Sequence, residues 1–125
     1  MIKYPTQDAI EGLLESRLAE TGTHLVFLNR SNFSFILESV KEIGKNSDSA
    51  ALIAKASYLI AKTINLHPLV DGNKRAAAIL TLFFLATNSK KLVASQDEFY
   101  DILLGFARHE LNENDISNWL ASNVR

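Results

Sequence analysis

The sequence contains no cysteine. That absence excludes disulfides and thiolate metal sites, and it fits a reducing compartment. Proline is almost as scarce. Its two copies, Pro5 and Pro68, fall at expected element boundaries, so long helices between them are permitted. There is no basic surplus either: 13 Lys and Arg face 14 Asp and Glu, for a formal net charge of -1. General nucleic-acid binders carry a basic excess, so no direct nucleic-acid partner is expected. Long apolar runs are missing too. The longest, Ala76 to Ala86, is interrupted only by Thr81. It is too short to span a bilayer and reads as a buried core helix. The residues from Met1 to Thr6 lack the apolar stretch of a signal peptide. The expectation is a cytoplasmic protein without a membrane partner.

What is present is an ordinary globular composition. The hydrophobic fraction is 47% and the charged fraction 22%, which supports a real core. A length of 125 residues suits one compact domain over 1–125. No repeat, low-complexity tract or long linker divides it. Hydrophobic spacing predicts a mostly α bundle. A first helix runs from Thr6 to Glu20, with Ile10, Leu13, Leu14 and Leu18 on one face. His24 to Leu28 is short and apolar, and reads as a strand or an extended flap. A second helix is expected over Asn32–Ile43, stopped by Gly44. Ser47 or Ser49 can cap a third, running to about Asn65. A fourth, from about Asn73 to Thr87, has almost no polar face and belongs in the middle of the bundle. Ser95-Gln96-Asp97-Glu98 reads as a capping box for a fifth helix reaching about His109. Asn114 or Asp115 opens a sixth.

The chemistry concentrates between the third and fourth helices, in His67-Pro68-Leu69-Val70-Asp71-Gly72-Asn73-Lys74-Arg75. The first turn of a helix leaves N–H groups without partners, and the dipole makes that end positive. It is a ready anion site. Gly72 permits a tight backbone that can turn successive N–H groups into one concavity. Lys74 and Arg75 add two cations where cations are normally unfavourable, which asks for a compensating anion such as a polyphosphate. Histidine suits a general base near neutrality, which nominates His67. Asp71 is a hard oxygen ligand suited to Mg²⁺ on phosphates. The Asn73 amide can donate to a phosphate oxygen. Each piece also has an ordinary structural explanation: His-Pro in a loop, Asp as a cap, Lys and Arg on a solvated face. Their coincidence in one short segment, leading into a buried helix, favours a phosphoryl-transfer site.

This segment resembles the signature of the Fic/Doc family, H-x-F-x-[D/E/N]-[G/A]-N-[G/K]-R, and the length and helical order are similar to the Doc branch. Arg30 to Ser39 is a weaker upstream match to Doc-type proteins. The resemblance implies a Fic-like helical bundle in which His67 is the general base and Asp71 helps hold Mg²⁺. It implies that Gly72, Asn73, Lys74 and Arg75 bind nucleotide phosphates, and that a flap near 22–31 aligns a segment of the target. Three positions depart from the adenylylating pattern: Leu69 replaces the usual Phe, Lys74 a Gly, and Ala78 a second Arg. The last two point toward a Doc-type toxin that transfers the ATP γ-phosphate to a hydroxyl of a protein target. The family suggests elongation factor Tu or a counterpart. Alternatives are a Fic-type AMP or UMP transferase, and a non-catalytic nucleotide- or partner-binding protein.

The family's inhibitory motif, [S/T]-x-x-x-E-[G/N], is approached by Ser34 to Glu38 but broken by Ser39. A separate antitoxin that folds on binding is therefore implied. His24 and His109 lack metal-like neighbours and read as structural or surface residues. Trp119 and Phe83-Phe84 read as packing residues, and Lys90-Lys91 as a solvated helix end.

Overall fold

The computed structural model describes residues 1–44 and 48–125. Six α-helices follow in order: α1 (Gln7–Ala19), α2 (Arg30–Ser39), α3 (Ser49–Leu66), α4 (Asn73–Thr87), α5 (Gln96–Ala107) and α6 (Glu113–Asn123). A 3-10 turn over Val40–Glu42 extends α2. The mostly α expectation holds. The flap region near 24–28 forms no strand; it makes one isolated antiparallel bridge, Phe27 to Leu69. A second bridge, Leu92 to Val124, ties the segment before α5 to the end of α6.

Helix starts follow the local chemistry closely. The Thr6 side chain accepts from the Ala9 N–H at 3.2 Å and caps α1. Asn29 caps α2, so that helix begins earlier than the apolar spacing suggests. Ser47 lies outside the described residues. Ser49 is already helical, and Asp48 is the cap, accepting from the Ala51 N–H at 2.9 Å. The reciprocal capping box expected at Ser95 occurs instead at α6, between Asn112 and Asp115. Ser95 does cap α5, but the Glu98 carboxylate accepts from the Ser95 hydroxyl rather than from its backbone.

One hydrophobic cluster joins all six helices, through residues such as Leu14, Phe33, Leu59, Leu80, Leu103 and Leu120. Helix α4 packs against α1, α3 and α5. Ala76, Ala77, Ala78, Leu80, Thr81, Phe84 and Leu85 are buried on it, which bears out its central place. Phe83 is only half-buried, on the side facing α1 and α5. Trp119 stacks on Phe99 with ring centroids 5.8 Å apart, an edge-of-core role. No helix among the described residues is long and apolar enough to cross a membrane.

Candidate active site

Helices α3 and α4 make the most extensive contact of any helix pair among the described residues, and the loop joining them carries the candidate site. His67 closes α3 in the left-handed conformation, with φ 49° and ψ 58°. Side chains other than glycine seldom adopt it, so surrounding contacts must hold it. They are visible on both sides. The Leu66 carbonyl accepts from Asn32 Nδ2 at 3.3 Å, which fastens the end of α3 to the start of α2. The Pro68 carbonyl accepts two backbone N–H groups, from Leu28 at 2.8 Å and Asn29 at 3.0 Å. The Val70 N–H donates to the Val26 carbonyl at 2.9 Å. The loop is thus zipped to the 26–29 segment. His67 itself is exposed, and the loop's hydrogen bonds run through its neighbours rather than its ring.

Leu69 is fully buried and belongs to the core cluster. It anchors the loop by burial worth about 1.5–3 kcal/mol. Asn73 completes the anchor. Its Oδ1 accepts from the Leu69 N–H and its Nδ2 donates to the Leu69 carbonyl, both at 2.9 Å. The residue is buried. The side chain thus staples the loop through its oxygen and one Nδ2 hydrogen, while the expected donation to a phosphate would draw on the second Nδ2 hydrogen or on the Asn73 backbone N–H.

That end of α4 is open. The other five α-helices each carry a side-chain cap, from Thr6, Asn29, Asp48, Ser95 and Asn112. Helix α4 begins after Gly72, which has no side chain to offer. Gly72 sits at φ 85°. A Cβ there would be strained and would touch Leu18 Cδ2 at 3.4 Å. The Gly72 carbonyl accepts from Ala76 at 2.8 Å, which starts the helical ladder and leaves the earlier N–H groups facing outward. Asp71 Oδ1 accepts from the Gly72 N–H at 2.8 Å, shaping the turn.

Charge at this end is unbalanced. The ion pairs among the described residues join Arg17 to Glu20, Arg30 to Glu11 and Lys41 to Glu38. Lys74 and Arg75 enter none of them. Lys74 is exposed and Arg75 half-buried. Beside Arg75 opens a cleft of about 660 Å³, walled by α1, α4 and the start of α5, with Phe83, Phe99 and Tyr100 among its apolar residues. The sequence motif pointed to the turn but not to this cleft, whose walls come from segments far apart in the chain.

Other expected features fall elsewhere. Glu38 lies on α2, which packs on α3, and pairs with Lys41 at 3.4 Å. Its partner thus lies in the 3-10 turn that follows α2, and both side chains are exposed. His24 and His109 are exposed. No cluster of three or more metal-ligating His, Asp or Glu occurs among the described residues. Asp71 would therefore hold Mg²⁺ only together with phosphate oxygens, which is the ordinary way proteins bind that ion. A single exposed carboxylate beside an open helix N-terminus fits that use.

No curated protein matches the chain. A family model described as Fic/DOC family does, over residues 4–85. That span runs from the residue before Pro5 into the last turns of α4 and contains the flap segment and the whole His67–Arg75 turn. Since it covers well over half of the sequence, the chain belongs to the Fic/DOC family.

Proposed function

We propose that the chain is a Doc-type protein kinase that moves the γ-phosphate of ATP onto a hydroxyl of a protein target. Members of the family are typically transferases, with nucleotidyl or phosphoryl transfer as the activities it suggests. The observation that carries the choice of an anion-handling site is the uncapped α4 N-terminus, with Lys74 and Arg75 free of carboxylate partners. Preference for phosphate over AMP rests on positions 74 and 78. Lys74 stands where the adenylylating pattern has Gly. Ala78, where that pattern has a second Arg, is 3% exposed and part of the core.

In this reading the outward N–H groups of the first α4 turn, with Lys74 and Arg75, bind and orient the phosphates. Exposed His67 accepts the proton of the target hydroxyl. The hydroxyl oxygen forms a bond to the γ-phosphorus as the bond to the β–γ bridging oxygen breaks, and ADP leaves. Mg²⁺ held by Asp71 would neutralise charge on the phosphates. Val26, Leu28 and Val70 are exposed apolar residues on the paired flap and loop, suited to lining up a segment of the target beside His67. The proposed target is a translation factor of the elongation factor Tu type, and the proposed setting is the cytoplasm. The proposed inhibitor is a separate antitoxin, since the inhibitory pattern approached by Ser34 to Glu38 is broken at Ser39. Antitoxin pairing is frequent in this family.

The test uses ATP labelled at the α- or the γ-phosphate, added with the protein to a cell lysate. Label on protein from the γ position alone supports the kinase. Label from the α position overturns it in favour of nucleotidyl transfer, and none from either, with target and antitoxin controlled, points to a binding module.

A further inference from the structure

The anion turn has a second wall that the motif does not contain: Thr21-Gly22-Thr23, directly after α1. Arg75 Nη1 donates to Thr21 Oγ1 at 2.7 Å and to Thr23 Oγ1 at 3.4 Å. The Thr21 hydroxyl donates in turn to the Leu18 carbonyl at 3.0 Å. A hydroxyl has one hydrogen and two lone pairs. With its hydrogen committed to Leu18, the Thr21 oxygen meets Arg75 purely as an acceptor. The segment is fixed by its own backbone bonds. Thr21 and Thr23 N–H groups both reach the Leu18 carbonyl, and Gly22, at φ 78°, donates to Ala19. Thr23 also abuts the other end of the anion turn. Its Cγ2 lies 3.5 Å from where a Cβ on Gly72 would stand.

The chemistry of the partner matters more than its presence. A carboxylate would orient a guanidinium and also neutralise it. A hydroxyl orients it and leaves the full charge for an incoming anion. A competing carboxylate is close: Glu20 lines the same cleft as Arg75 and pairs with Arg17 at 3.8 Å. We propose that Thr21, with Thr23 as a second acceptor, is a positioning residue that holds Arg75 at the anion turn in its charged, unpaired form. This rests on the reading that residues 72–75 bind nucleotide phosphate.

Binding of ATP with Mg²⁺, and of inorganic tripolyphosphate, is measured calorimetrically for the intact chain and its variants, with thermal unfolding of each recorded. Arg75→Ala tests the underlying reading and is expected to weaken both ligands at least about tenfold. Thr21→Ser keeps the oxygen and should bind as the parent does. Thr21→Val and Thr21→Ala lose it and should weaken binding about fivefold, a discounted value for an exposed bond to a charged group. Thr21→Asp places a carboxylate against Arg75 and should be the weakest of the four, approaching Arg75→Ala. That ranking separates charge preservation from a packing role, because Asp can accept the same bond. If Thr21→Asp and Thr21→Ala bind like the parent while Arg75→Ala does not, the inference is overturned and the site reading stands. If Arg75→Ala binds like the parent, both fall.

Discussion

Lys55 and Arg75 are both cations near helix ends, and the fold treats them in opposite ways. Lys55 is 2% exposed. Its ammonium donates to the carbonyls of Val40 at 3.3 Å, Lys41 at 3.2 Å and Gly44 at 3.3 Å, and to that of Ile43. It also lies 5.6 Å from the centre of the Tyr4 ring. These carbonyls close the α2–3-10 unit, at the end where the helix dipole is negative and a cation is favourable. The charge of Lys55 is consumed by the fold. Arg75 sits at the positive end of α4, is half-exposed, and among the described residues its guanidinium hydrogen-bonds to hydroxyls alone. Its charge is left over. A cation enclosed by its own chain's carbonyls is a structural element; one placed against a dipole with neutral partners is an open binding capacity.

The contrast can be broken most severely at the loop that Arg75 serves. His67→Ala should reduce phosphate transfer by about 10²–10⁴-fold while moving stability by less than about 1 kcal/mol, since the ring is exposed. Retained transfer in γ-label assays would remove His67 as the base. On the structural side, Lys55→Met leaves a set of carbonyls without a donor. It should lower unfolding free energy by about 2–3 kcal/mol in a denaturant titration, with ATP affinity unchanged in the folded fraction. Weaker ATP binding at equal folding would mean that Lys55 also serves the site.

Asn73→Ala falls between the two classes. It removes both bonds to Leu69, so stability should drop by about 1–2 kcal/mol, and transfer should fall about tenfold as the loop loosens. A transfer loss without a stability loss would instead return the amide to phosphate binding. Lys74→Gly should weaken γ-transfer without creating α-transfer, because Ala78 is still no clamp; it also costs about 1 kcal/mol in the first helical turn. Glu38→Gln should do least. Transfer should stay within about twofold, since its partner is Lys41. A clear rise in activity would revive an inhibitory role for that helix.

The helices were legible because their signals are short-range. Apolar spacing marked α4 at its observed bounds, and Thr6 marked the start of α1. Where the expectations drifted, a neighbouring polar residue made the better cap: Asp48 rather than Ser49, and Asn29 ahead of the first apolar position of α2. At α6, Asn112 and Asp115 meet the reciprocal box that Ser95 and Glu98 leave half-made. Such choices depend on backbone angles that differ little in energy. Of the site, the His67–Arg75 turn could be read whole, since its parts are contiguous. The flap pairing, the threonine acceptors and the cleft could not. Their partners lie tens of residues away, and no local pattern encodes which side chains meet.

The turn at 67–75 and the helices around it were thus decided by the sequence itself, through periodicity, capping and one dense motif. Two things were decided by the tertiary structure alone. One is the role of each polar atom: Asn73 folded back on Leu69, Lys55 sealed among carbonyls, Arg75 held by hydroxyls. The other is the balance of charge around Arg75. Both follow from the same physics. Hydrogen bonds and ion pairs act over a few ångströms, so a residue's partner is known only once distant segments are packed side by side.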